Sequence, residues 1–148
     1  TGLIARCCDV LVMSEEGRLG MSGPEVIETA RGVEEFDSRD RALVWRTTGG
    51  KHRYLLGDCQ LLVPDDIAAF RQVALQAIET ARNGAPGLTV DGLQAEQDML
   101  ERRLRDFGQQ YDPMDVWKEL GIPDPAVVPM LDADQFVTLA ATWRAGVK

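Results

Sequence analysis

Two short runs, Val10-Leu11-Val12-Met13 and Gln60-Leu61-Leu62-Val63, stand apart in a chain whose other apolar residues follow helical spacing. Each is too short for a buried helix. Glu15-Glu16-Gly17 follows the first and Gly57-Asp58 precedes the second, so each reads as a buried strand bounded by a turn. Strands alternating with helices imply an α/β fold.

The helical pieces fill the intervals. Residues 2–8 carry helix-compatible apolar content, and Arg18 to Met21 could form a further extended piece. Ser22 and Glu25 have capping-box spacing with Pro24 in the first turn, which predicts a helix over 23–30. The charged segment Val33 to Arg41 leads into Ala42-Leu43-Val44-Trp45, read as helix, and Thr47-Thr48-Gly49-Gly50 reads as a flexible loop. Pro64-Asp65-Asp66 starts a helix running to about Arg82. Its Ile67, Phe70, Ala74, Ala77, Ile78 and Ala81 recur every three or four residues, the spacing of a helix.

After Asn83-Gly84-Ala85-Pro86-Gly87, a linker in composition, strand-like runs cease. A helix over 91–107 carries only the narrow stripe Leu93, Leu100, Leu104 and Phe107, suited to one neighbour such as an adjacent subunit. A short helix over 111–121, breaks at Pro123, Pro125 and Pro129, and a last helix over 133–145 complete the chain. The expected organisation is an α/β core in residues 1–82 and a helical extension in residues 83–148.

Composition excludes several functions. The 148 residues are enough for a sizeable core, and 45% hydrophobic with 27% charged residues suits a globular protein. A net charge of −8 opposes nucleic acid and anionic membranes, and Arg102, Arg103 and Arg105 are interspersed with Glu101 and Asp106. No run suits a membrane span or a signal peptide, so a cytoplasmic location is expected. The three cysteines lack the spacing of a disulfide framework or zinc site, which fits a reducing compartment. Cys7 and Cys8 read as small packed residues. With one histidine, His52, no metal site and no Asp/His/Ser relay is expected. The apolar opening Thr1-Gly2-Leu3-Ile4-Ala5 has no initiator Met, which suggests further sequence upstream.

Three segments could carry chemistry. Gly2 to Asp9 is a glycine-started helix whose unpaired N–H groups suit a developing oxyanion, or a buried helix that binds nothing. Gly20 and Gly23, in Arg18-Leu19-Gly20-Met21-Ser22-Gly23-Pro24-Glu25, would let backbone approach a ligand. Glu25 there is either an acid or base, or only the third helical residue of a capping box. Thr47-Thr48-Gly49-Gly50-Lys51-His52-Arg53 could wrap an anion, or be a surface loop, and it lacks the spacing of a nucleotide-binding loop.

Taken in order, Gly2 to Asp9, Val10-Leu11-Val12 and Gly20-Met21-Ser22-Gly23-Pro24-Glu25-Val26-Ile27-Glu28 resemble the carboxyltransferase branch of the crotonase-like superfamily. Gly-Pro-x-Val-Ile-Glu looks like the carboxyltransferase subunits of acetyl-CoA carboxylase. The continuation from Arg31 to Arg53 instead resembles the β subunit of biotin-independent malonate decarboxylase, the closest likeness covering residues 1–82.

The resemblance implies a ββα superhelix, here its C-terminal part, working against a related γ-type subunit. The substrate would be malonyl on the pantetheine thiol of an acyl carrier protein, released as acetyl thioester and CO₂, with no directly bound cofactor. Losing CO₂ leaves an enolate oxygen, which preorganised donors stabilise by about 3 to 4 kcal/mol each. It also implies that Thr1 and Gly2 border the oxyanion hole. Gly20, Met21, Ser22 and Gly23 would line the acyl pocket, and Thr48, Gly49, Gly50 and His52 would contact the carboxylate or a partner. Two alternatives remain open: a non-catalytic docking portion of the complex, and a carboxyltransferase subunit of a biotin-dependent acyl-CoA carboxylase.

Overall fold

The computed structural model describes residues 2–83 and 89–144. The expectations for Thr1, for most of the linker and for the end of the last helix lie outside them. Two strands, β1 (Val12–Ser14) and β2 (Leu61–Val63), pair in parallel with Val12 opposite Leu61 and Ser14 opposite Val63. Parallel pairing requires a crossover. It is supplied by α2 (Pro24–Arg31), α3 (Arg41–Thr48) and α4 (Gly50–Leu55), while α1 (Gly2–Arg6) precedes β1. After β2 come α5 (Ile67–Arg82), α6 (Val90–Phe107), α7 (Pro113–Glu119), a 3-10 turn at Pro125–Met130 and α8 (Ala133–Arg144). The result is a helix-rich α/β fold with a small parallel sheet.

Local chemistry explains most helix starts. Asp40, Asp66, Thr89 and Asp112 each accept a backbone N–H from the first turn that follows, satisfying a donor the helix cannot. The start of α2 differs from expectation. Gly23 is the N-cap and no side chain caps the helix, so Ser22 and Glu25 do not form their box. Pro24 at the first position suffices to direct the turn.

The core joins both ends of the chain. Met13 and Leu62 from the sheet, with Tyr54, Leu55 and Cys59, pack on Trp117, Ile122, Val128, Phe136 and Ala140. Trp117, Phe136, Leu55 and Val128 are fully enclosed. Lys51 is buried too, its Nζ donating to the carbonyls of Pro129 (3.1 Å) and Leu131 and lying 5.6 Å from the Trp45 ring centre. Burial lowers its pKa, and those carbonyls compensate the ammonium in place of water.

The junction of α3 and α4 overturns one expectation. Thr47–Gly50 is not a flexible loop: α3 and α4 abut at Gly49, whose N–H donates to the Trp45 carbonyl (2.7 Å). A Cβ on Gly50 would collide with the Ser14 carbonyl oxygen and lie 2.9 Å from Leu62 Cδ1, so glycine serves close approach of α4 to the sheet. Helix α5 forms as expected, and none of its residues is buried; Ile67 is 87% exposed and Ile78 50%. This core leaves its apolar stripe largely uncovered. No helix among the described residues is long and apolar enough to cross a membrane.

Gly50→Ala should therefore lower the free energy of unfolding by roughly 1–3 kcal/mol, the usual range for an overpacked core. Chemical denaturation measures it, and an unchanged midpoint would contradict the tight approach of α4 to β1.

Candidate functional site

Backbone hydrogen bonds bring three glycine-bearing segments together. The Leu19 N–H donates to the Thr48 carbonyl (2.8 Å) and the Gly50 N–H to the Gly17 carbonyl (2.9 Å), with an isolated antiparallel bridge between Arg18 and Gly49. Residues 17–20 are thereby tied to the α3–α4 junction. Gly2, at the start of α1, is pressed against the same loop: a Cβ there would lie 2.9 Å from the Gly20 carbonyl oxygen and 3.2 Å from Met21 Cα. A Cβ on Gly20 would lie 3.0 Å from the Ser22 carbonyl oxygen.

Between these segments and α2 lies a cleft of about 440 Å³. Gly2, Gly20, Met21, Ser22 and Thr48 line it, five of the positions that the resemblance singled out. Leu3, Leu19, Val26 and Ile27 supply apolar wall, and Arg31, Arg53 and Asp58 supply charge. The Thr48 hydroxyl donates to the Val44 carbonyl (2.7 Å), so it is committed to its own helix.

Gly23, Gly49, Gly50 and His52 do not line this cleft. Gly23 is the exposed N-cap of α2, and Gly49 and Gly50 are buried behind it in the helix junction. His52 faces α7 instead. Its Nδ1 accepts from Trp117 Nε1 (3.1 Å), which leaves the proton of the neutral ring on Nε2. Burial, reinforced by the neighbouring Arg53 charge, lowers its pKa to about 3. A proton-accepting role at neutral pH would have to overcome both.

Other reactive groups lie elsewhere. Cys7 and Cys8 are exposed rather than packed, because they follow the last turn of a five-residue helix instead of lying within a longer one. Cys59 is enclosed and burial pushes its thiol up to about 12, which suppresses the thiolate. A wider hollow of about 930 Å³ beside Cys7 and Cys8 carries Asp9, Glu96 and Asp98 against Arg102, besides an Asp58 already paired with Arg53 and Arg103, a balance that repels an anionic ligand.

Reading of the residues singly missed Arg31 and Asp58. The signal for Arg31 was present: Val26, Ile27, Ala30 and Arg31 share one face of α2, and all four line the cleft. Asp58 gave no local signal, since its partners Arg53 and Arg103 are set by tertiary packing.

The α/β fold is similar to that of one chain of a Pseudomonas malonate decarboxylase hetero-tetramer, whose crystal structure contains malonate. That chain superposes with a TM-score of 0.60 at 33% identity over 74% of this chain and 37% of its own length. By sequence, the chain is 38% identical over 152 residues to the malonyl-S-ACP:biotin-protein carboxyltransferase MADC of Malonomonas rubra. The match covers 97% of this chain and 46% of that relative, so the chain spans about half the relative's length. No family model matches the chain.

The buried imidazole has a measurable consequence. Its folded pKa, about 3, lies below the unfolded value near 6.5, so the unfolded state binds the proton first as pH falls. Stability contributed above about pH 6.5 is lost between there and about pH 3. His52→Gln keeps an acceptor for Trp117 and removes the titration. Its unfolding free energy should fall less steeply with acidification than that of the wild type, and parallel pH profiles would contradict a buried neutral ring.

Proposed function

We propose that the chain is part of an enzyme subunit that decarboxylates a malonyl thioester carried on an acyl carrier protein, giving acetyl thioester and CO₂. The observation that carries this reading is the convergence of Gly2, Gly20, Met21, Ser22 and Thr48 on one cleft. Similarity in sequence and fold to proteins named for malonyl and malonate chemistry supports it. The proposed frame is the C-terminal part of a crotonase-like ββα superhelix. A related γ-type subunit would complete the site, and the hetero-tetrameric relative supports such an assembly. A reducing cytoplasm suits the unpaired cysteines.

The cleft fits an extended thioester. Its volume and largely apolar wall suit a pantetheine arm, and the glycines permit close backbone approach. The arm supplies the thiol that carries the acyl group. The protein's part is to hold that group so that the bond between C2 and the carboxylate carbon breaks. Its electron pair moves toward C2 and the thioester oxygen, CO₂ leaves, and a proton is added at C2. Backbone N–H groups bordering Gly2 are the proposed donors to the oxygen, in a cleft whose apolar side strengthens them.

Gly20→Val tests the reading in the intact protein with its partner subunit. The added side chain presses on the Ser22 carbonyl and fills the cleft, and a misplacement of about 1 Å costs roughly 10²-fold in rate. Wild type should release CO₂ from malonyl thioester, and the variant should fall by that factor while its circular dichroism is kept. No CO₂ from the wild-type assembly sinks the proposal.

The Malonomonas rubra relative, by its name, favours a second reading in which the carboxyl group passes to a biotin protein. Turnover that requires a biotinylated acceptor and stops with avidin selects that reading. Biotin-free release of CO₂ selects the first.

A further inference from the structure

On the far side of Thr47 a second hollow of about 390 Å³ reaches α6 and the approach to α7. Arg31, Thr47 and Arg53 line both it and the acyl cleft. Arg103 joins them in the second hollow, and no carboxylate lines it among the described residues. In a chain of net charge −8, three arginines border this hollow, and with Asp58 paired to two of them the cluster still carries net positive charge. The neutral His52 on the same wall adds no charge.

The arginines are held in place. Arg53 donates from Nε to the Leu19 carbonyl (3.1 Å) and from Nη1 to Asp58 Oδ2 (3.0 Å). Arg103 Nη1 reaches Asp58 Oδ1 at 2.6 Å, so one carboxylate, its side chain 3% exposed, bridges two guanidiniums. Arg31 lies with its guanidinium 5.8 Å from the Tyr111 ring centre. Leu19 belongs to the segment fixed to Thr48, so Arg53 is anchored to the cleft wall itself.

We propose that Arg31 and Arg53 form an oxyanion-binding subsite where the two hollows meet, receiving the anionic end of the thioester ligand, with Asp58 as the positioning residue for Arg53. This rests on the malonyl-thioester reading. A guanidinium pairs equally with either anion such a ligand carries, the free carboxylate of the malonyl group or the phosphate of the pantetheine arm.

Calorimetric titration of the intact assembled protein separates the two sources. One arm compares malonate with its monomethyl ester, and the other compares 4′-phosphopantetheine with pantetheine. In one arm the more highly charged ligand should bind roughly tenfold or more tightly than its counterpart, as expected for charge-assisted hydrogen bonds. Arg31→Gln should remove that preference without moving the thermal midpoint, because Arg31 is exposed and its guanidinium lies over the Tyr111 ring. Arg53→Lys should keep part of it. Asp58→Asn should raise KM for malonyl thioester more than it lowers kcat. Equal binding within both pairs, or Arg31→Gln and Arg53→Lys both binding as wild type does, overturns the subsite. That outcome with CO₂ release intact leaves the malonyl reading standing, whereas loss of wild-type turnover with anion preference intact removes that reading alone.

Discussion

Gly50 sets its backbone against the Ser14 carbonyl at the end of β1, closer than any residue with a Cβ could come. From that approach several consequences run. The Gly50 N–H is free to bond Gly17, Thr48 receives Leu19, and the loop carrying Gly20 to Ser22 is fixed against a helix end instead of swinging in solvent. The same junction aims Lys51 at the turn before α8 and His52 at α7. A single steric constraint thus couples the candidate cleft to the packing of the C-terminal helices.

Four polar groups around this junction meet partners from distant segments. Lys51 reaches the Pro129 and Leu131 carbonyls, His52 accepts from Trp117, Arg46 grips Asp112 through two bonds, and Asp58 receives both Arg53 and Arg103. Such pairs are costly to break, since the remaining member would be left desolvated. They bind residues 46–58 to residues 103–131, so α7 and α8 complete the core that the short sheet alone could not close. Arg103 also brings α6 to the second hollow, although α6 buries none of its own residues.

Much of this was legible where the determining forces are local. Strands formed within both apolar runs, the first starting at Val12 and running on to Ser14, and Asp66 capped the long helix that Pro64-Asp65-Asp66 announced. The grouping of Gly2 with Gly20, Met21, Ser22 and Thr48 came from resemblance, and the cleft contains those residues. What depended on tertiary contact was not legible. Gly49-Gly50 read as flexible because the reason for Gly50 is a strand carbonyl thirty-odd residues away, while Gly49 closes on the Trp45 carbonyl at the helix end before it. Helical spacing in α5 revealed an apolar face without revealing that this core leaves it uncovered. Ser22 and Glu25 had the right spacing, but Gly23 took the cap position between them. Arg31, Asp58 and Arg103 acquire meaning only from one another and from the hollows they border.

The central claim is that the cleft between Gly2, the Gly20 loop and Thr48 holds the acyl group. A crystal structure of the assembled protein with a non-decarboxylating malonyl thioester analogue tests it most directly. The account predicts the thioester oxygen within hydrogen-bonding distance of backbone N–H groups beside Gly2 and Gly20, with the acyl chain against Met21 and Ser22. An analogue bound in the acidic hollow beside Cys7 and Cys8, or with its thioester away from the Gly20 loop, would contradict it.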